Sequence, residues 1–294
     1  MVDIEFLLMH PNEHNISVDL GGLAKAVHQD EKNHKEYQWL ETGGRNFDVA
    51  YRERITQPMN NGLLVVRKPD GSIKFDDRKL RFSGITSIGD SITIYVAPTT
   101  FGEMVRSGVK ALNDHHFFSM LTRQGMQDFG DPWAYFAMIF SFSAVPVTED
   151  GYAHVFMRGS KSEMYKEHWH VIGGIDTNHD LFHDEYPSHR FLEMIREGVT
   201  RELVQETGSK DVRVELTGLV RNGPISYEFT HIAYVPGSSR DLLQRIGHAE
   251  DAAEHTGDFK LFKDRDEIMN FLWTEPKIVP GGYGSLFLYA NRQK

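Results

Sequence analysis

One helical segment, from about Ser188 to Thr207, decides most of what this chain can become. At about 100° per residue, Leu192, Ile195, Val199 and Leu203 fall in a single stripe that must be buried against another element. Gly198, Glu202 and Gln205 occupy the neighbouring sector, with Glu206 on its border with the apolar stripe. Glu193, Glu197 and Arg201 follow one another at i, i+4 and i+8 on the other flank, where the arginine can pair with the glutamates. Gly208 ends the segment at the position where helices commonly stop. Carboxylates one turn apart repel, so the flank bearing Glu202 and Glu206 asks for a cation.

What covers the apolar stripe is legible on both sides of it. Before the helix, "AYFAMIFSFSAVPVT" (134–148) reads as strand, "EDG" (149–151) as a tight turn, and "YAHVFMRG" as the returning strand. "HWHVIGG" (168–174) reads as a third strand ending in two glycines. After the helix, "VRVELTGLVRN", a turn at "NGP" and "ISYEFTHIAYV" form a hairpin, with helices expected at 239–247 and 264–272 and a final strand in "GSLFLYANR". Nearer the start, "GLLVVR" (62–67) and "LRFSGITSIGDSITIYVAP" (80–98) read as strands, and a helical stretch follows from Phe101 to Phe129 with Asn113 and Gly125 as interruptions. "GDP" (130–132) stops that helix and starts an extended segment. The expectation is an α/β (α+β) protein: an N-terminal α+β domain over 1–130, and a mixed sheet sandwiched by helices over 131–294.

Composition removes several classes of function. A chain of 294 residues with 40% hydrophobic content can bury a large core. The net charge is −10 and the basic residues form no stripe that could track phosphates, so nucleic acid is not expected as a partner. Without cysteine there is no disulfide, thiolate nucleophile or thiolate metal site. No run approaches the roughly 18 apolar residues of a membrane span, and the first residues lack a basic leader, so a cytoplasmic protein without membrane partners is expected.

The order Gly174, Glu193, seven residues, Arg201-Glu202-Leu203, one residue, Gln205-Glu206, one residue, Gly208 resembles the Nudix box, G-x5-E-x7-R-E-U-x-E-E-x-G-U with U a large apolar residue. The resemblance extends over roughly 134–290. It implies a Nudix-type αβα sandwich and a pyrophosphohydrolase activity on a nucleoside diphosphate linked to another moiety. It implies Mg2+, with Mn2+ an alternative, held by Glu202, Gln205 and Glu206. Glu193 and Arg201 join the two glutamates in the catalytic set, Arg201 as their brace. The layout of the segments before and after the box is similar to long Nudix hydrolases of UDP-sugars such as UDP-glucose, in which the N-terminal domain covers the substrate. The rival reading is a Nudix-fold protein that binds a nucleotide and regulates without turnover.

The chain departs from the box twice. Eighteen residues separate Gly174 from Glu193 where the box has five, and Gln205 stands where the first glutamate of the final pair is usual. An amide oxygen ligates a hard cation more weakly than a carboxylate, and Glu228, Glu250, Asp251 and Glu254 are the candidates for a further ligand. Arg158 suits a substrate phosphate, with a plain strand-end arginine as the alternative. Asn222 reads as turn chemistry before Gly223-Pro224 or as a nucleotide contact; with Arg158 and Gly174 it completes the substrate-binding set. His168, His170, His179, His183 and His189 crowd one region, but their spacing matches no compact zinc motif.

Overall fold

A computed structural model of the protein describes residues 4–19, 78–159, 165–174, 191–251 and 255–293. The strand expected at 62–67, His179, His183, His189 and Glu254 lie outside these residues. The described chain begins with β1 (Ile4–Met9), β2 (Ile16–Asp19) and the hairpin β3 (Arg78–Ile88) and β4 (Ser91–Thr100). A helical run follows as α1 (Phe101–Met104), a π-helical turn at Val105–Val109, α2 (Lys110–Asn113) and α3 (His115–Phe129). Asp114 divides it, breaking α2 and accepting a 2.9 Å hydrogen bond from the Phe117 N–H as the cap of α3. Gly125 does not interrupt α3 as expected. The chain returns over it, and a Cβ there would overlap the carbonyl of Asp131. The helix ends at Gly130, which takes a left-handed φ of 67°.

The second part contains β5 (Ile139–Thr148), β6 (Ala153–Arg158), β7 (Trp169–His170), β8 (Ile172–Gly174), α4 (Phe191–Thr207), β9 (Arg213–Asn222) and β10 (Ser226–Val235). It continues with α5 (Ser239–Ile246), β11 (His255–Phe262), α6 (Arg265–Thr274) and α7 (Pro280–Arg292). The run "GSLFLYANR", expected as a final strand, is the body of α7. Pro280 suits a first helical turn, and the buried positions Gly281, Gly282, Ser285, Leu288 and Tyr289 recur with the helical period.

The strands form one mixed sheet, in the order β1-β9-β10-β5-β3-β4-β2, with β8 on β5 and with β6 carrying β7 and β11. β10 runs parallel to β5 and antiparallel to β9. Strands and apolar side chains from both sides of residue 130 share this sheet and one core: Phe82 of β3 packs among Phe140, Tyr227 and Leu203 in the same buried cluster. Arg81, almost wholly buried, joins the two parts by donating hydrogen bonds of 3.2 Å to the Phe136 carbonyl and 3.0 Å to that of Ala134.

The sheet parts where the site forms. β5 and β6 pair only at Val147 and Ala153 and then diverge, β8 staying with β5 and β7 with β6. "HWHVIGG" is therefore two short strands rather than one. Helices cover the two faces. α4 lies on one, Phe191 meeting Phe140 and Phe229 edge-on at 5.7 and 5.9 Å. α7 lies on the other, its Ser285 in contact with Ser143 of β5. Val145, Val155 and Ile232 of the sheet form a second buried cluster with Trp169, with Phe271 and Leu272 of α6 and with Leu286 of α7. Among the described residues no helix is long and apolar enough to cross a membrane.

Candidate active site

The first half of the site is a helix carboxylate laid on a strand glycine. Gly174 ends β8 opposite Phe142 of β5, on the face that α4 covers. A Cβ at Gly174 would lie 3.0 Å from the carboxyl carbon of Glu202 and 3.1 Å from one of its oxygens. A side chain there would require that carboxylate to give way by a few tenths of an ångström. The apolar stripe fixes the helix in this register: Ile195, Val199 and Leu203 are buried, while Leu192 is half-buried. Gly208 closes the helix with a φ of 65° and donates a 2.9 Å hydrogen bond to the Val204 carbonyl.

One turn on, Glu206 is 4% exposed, deeper than its place on the border of the stripe suggests. Its Oε2 stands 3.0 Å from Nε2 of His255, whose ring packs against Phe156 at 5.0 Å between centroids. The two atoms are at ion-pair distance but are not aligned for a hydrogen bond. His255 starts β11 and faces Arg158 across the ladder. Neither β11 nor this histidine was legible beforehand, because a strand that is largely exposed carries no clean alternation.

Gln205, half-buried, accepts a 3.0 Å hydrogen bond from the Asp251 N–H on its main-chain carbonyl, which brings the segment before β11 to the end of α4. Glu193 and Arg201 lie on the exposed flank of the helix. Among the described residues no group of three or more His, Asp or Glu side chains is gathered to hold a metal ion. The donor set of two carboxylates and an amide on one helix face nevertheless suits a hard divalent cation that keeps several waters, and Gly174 leaves the space that a side chain would fill. The His255 imidazole is the competing group beside Glu206.

The remaining predicted residues gather elsewhere. Glu228 faces α7 rather than α4: its neighbour Phe229 meets α4, and a Cβ on Gly281 would overlap the Glu228 carboxylate. That placement removes Glu228 from the candidate metal ligands. It is 4% exposed, accepts a 3.4 Å hydrogen bond from Ser141 and has its other oxygen without a partner among the described residues. Burial raises its pKa, against the hydrogen bond from Ser141 and the charge of Arg158. Burial, then the charges of Arg158 and His255, holds His170 well below the usual histidine range. Arg158, with its Nε buried and unpartnered among the described residues, stands where the sheet parts, and its charge reaches Glu228 and His170.

No family model and no curated protein matches the chain. Among solved structures it is similar to the MutT protein of Methanosarcina mazei Go1, at 18% identity and a TM-score of 0.29 over 53% of this chain and 94% of that one. It is also similar to a Nudix hydrolase from Nitrosomonas europaea, at 14% identity and a TM-score of 0.31 over 53% and 76% of the two chains. A third is NrtR of Shewanella oneidensis in complex with DNA, at 12% identity and a TM-score of 0.31 over 52% and 61%. The fold class stands on the chain's own elements: a mixed sheet between helices, in an α+β protein.

Proposed function

We propose that the chain is a divalent-metal-dependent hydrolase of a nucleoside diphosphate linked to a second moiety, with a UDP-sugar such as UDP-glucose as substrate and UMP and a sugar 1-phosphate as products. The observation that carries this reading is the Glu202 carboxylate resting on Gly174, which ties the ends of the box-like pattern together across an intervening segment. Glu202 and Glu206, with the side-chain oxygen of Gln205, would hold the ion. Bound there, Mg2+ or Mn2+ supplies charge neutralisation of the diphosphate and an activated water.

The chain's own residues do the rest. Arg158, at the parting of β5 and β6, binds a phosphate oxygen through its planar fork. Whichever carboxylate is left unsaturated by metal accepts the proton of the attacking water. Glu193 and Arg201 brace the helix that presents these groups. Residues 1–130 serve as the covering domain and 131–294 carry the chemistry. The partner on this reading is a small nucleotide, not a nucleic acid or a membrane, and the site of action is the cytoplasm.

A second reading, a nucleotide-binding regulator without turnover, draws on the Glu206–His255 contact and on Gln205, which together leave the site short of negative charge. One assay separates the two. The protein is incubated with UDP-glucose, ADP-ribose and a dinucleoside polyphosphate in Mg2+ and in Mn2+, and phosphate is measured after phosphatase treatment. Turnover that Glu206→Gln lowers by about a hundredfold supports the hydrolase. Binding without turnover across the panel supports the regulator.

A further inference from the structure

A cavity of about 720 Å3 opens on the α7 side of the sheet, between α2–α3, the turn after β9 and the segment joining α6 to α7. Its walls are aromatic: Phe118, Tyr165, Trp273 and Tyr283 all line it. Trp273 is 78% exposed, a large apolar surface left in water at the rim. Among the described residues that line the cavity none is Lys or Arg; His115, His168 and Glu275 are its other polar side chains besides Asn222.

The floor holds one buried polar group. Asn222 is only 6% exposed. Its Oδ1 is left as an acceptor with no partner among the described residues. A buried acceptor in that condition is costly unless a ligand supplies a donor. Beside it, Tyr165 and Glu167 hold φ values of 54° and 57°, the left-handed backbone that non-glycine residues seldom adopt outside sites where a loop is held for a purpose. Aromatic faces, one unpaired buried acceptor and no lysine or arginine describe a flat, uncharged ligand with an N–H edge.

We propose that this cavity binds an uncharged planar nitrogen heterocycle presenting an N–H donor to Asn222, the chemistry of a nucleobase or nucleoside, at a site separate from the Glu202–Glu206 face. α4 and α7 cover opposite faces of the sheet, so the two sites have different walls.

The test is calorimetric titration of the full chain with adenosine, cytidine and uridine, then with their 5′-monophosphates. At least one nucleoside binds one to one, and its 5′-phosphate adds no more than about twofold, since no lining lysine or arginine meets it. Trp273→Ala, a change at an exposed position, weakens binding about tenfold through lost stacking, and Asn222→Ala does the same through the lost acceptor. Glu206→Gln leaves nucleoside binding as it was. Failure of every nucleoside to bind at millimolar concentration overturns the proposal, as does binding indifferent to Trp273→Ala. Loss of nucleoside binding on Glu206→Gln would reassign the ligand to the other face. Hydrolysis of a nucleotide sugar stands or falls independently of these outcomes.

Discussion

His255 Nε2 lies 3.0 Å from Glu206 Oε2, with both side chains buried. The acidic flank of α4 is thus met by a side chain of the protein itself, from a strand that starts well beyond the helix. A divalent ion that engages Glu206 must compete with this imidazole. His255→Gln removes the competitor and keeps most of the volume. Without metal the variant melts lower, by the equivalent of about 1–3 kcal/mol, because a buried carboxylate loses its partner. With Mg2+ or Mn2+ the protection against melting begins at lower concentration than in the parent protein. A thermal-melt series over metal concentration reads both effects, and an unchanged metal midpoint would show that His255 and the ion do not share Glu206.

The approach of Glu202 to Gly174 gives a change confined to the site. Gly174→Ala places a methyl 3.0 Å from the Glu202 carboxyl carbon, closer than ordinary contact, so the carboxylate must rotate away. Gly174 is half-exposed at the end of β8, and the fold has little to lose there. The expected result is a melting temperature within a few degrees of the parent and a fall of about tenfold or more in turnover, from misplacement of a metal ligand. Full activity in a folded Gly174→Ala would detach Glu202 from the chemistry.

α4 was legible because two independent patterns agree there: the apolar stripe sets the buried face, and the spacing from Glu193 to Gly208 sets where the acids fall. α7 was not. "GSLFLYANR" is a short apolar run that fits a strand or a buried helix equally, and the glycines before it read as a turn. Their reason is tertiary. Gly281 makes room for Glu228, Gly282 for His170 and Gly284 for Ile4 and Val220, contacts that no local pattern announces. His255 was missed for the same cause, since nothing around it in sequence refers to Glu206. Glu228 was marked as a possible metal ligand by residue type alone, and its place in β10 turns it to the other face.

A pH dependence of stability follows from His231, which is 2% exposed beneath α4 with Nδ1 3.2 Å from the Ser143 carbonyl. Burial holds its pKa down to about 4, and the charge of Arg196 adds to the effect. Above pH 6.5 the ring is neutral in the folded and unfolded chains alike, so it contributes no pH dependence. As the pH falls from 6.5 toward 4 the unfolded chain takes up a proton that the folded chain refuses, and stability declines by up to about 3 kcal/mol before levelling. His154, lowered by burial, acts in the same direction. Denaturant melts at successive pH values should show this fall, and His231→Gln should make it shallower. An equal slope in the variant would place the proton uptake elsewhere.

The departure at Gln205 supplies the sharpest test of the metal reading. Gln205→Glu restores the usual third carboxylate on a half-buried position beside Glu206. If a divalent ion is held on this face, the added charge falls within its reach, and the metal dependence of activity and of melting shifts to lower concentration. The rate at saturating metal need not change, because an amide oxygen already in the coordination is replaced at the same place. Without an ion the third carboxylate only adds repulsion to Glu202 and Glu206, and the helix loses stability. His255 can relieve part of that repulsion but already faces Glu206, so the double variant with His255→Gln should need metal most and melt lowest without it. A Gln205→Glu protein that melts lower at every Mg2+ concentration, with no leftward shift, would mean that the three side chains form no metal site and that α4 presents its acids to solvent and to His255 alone.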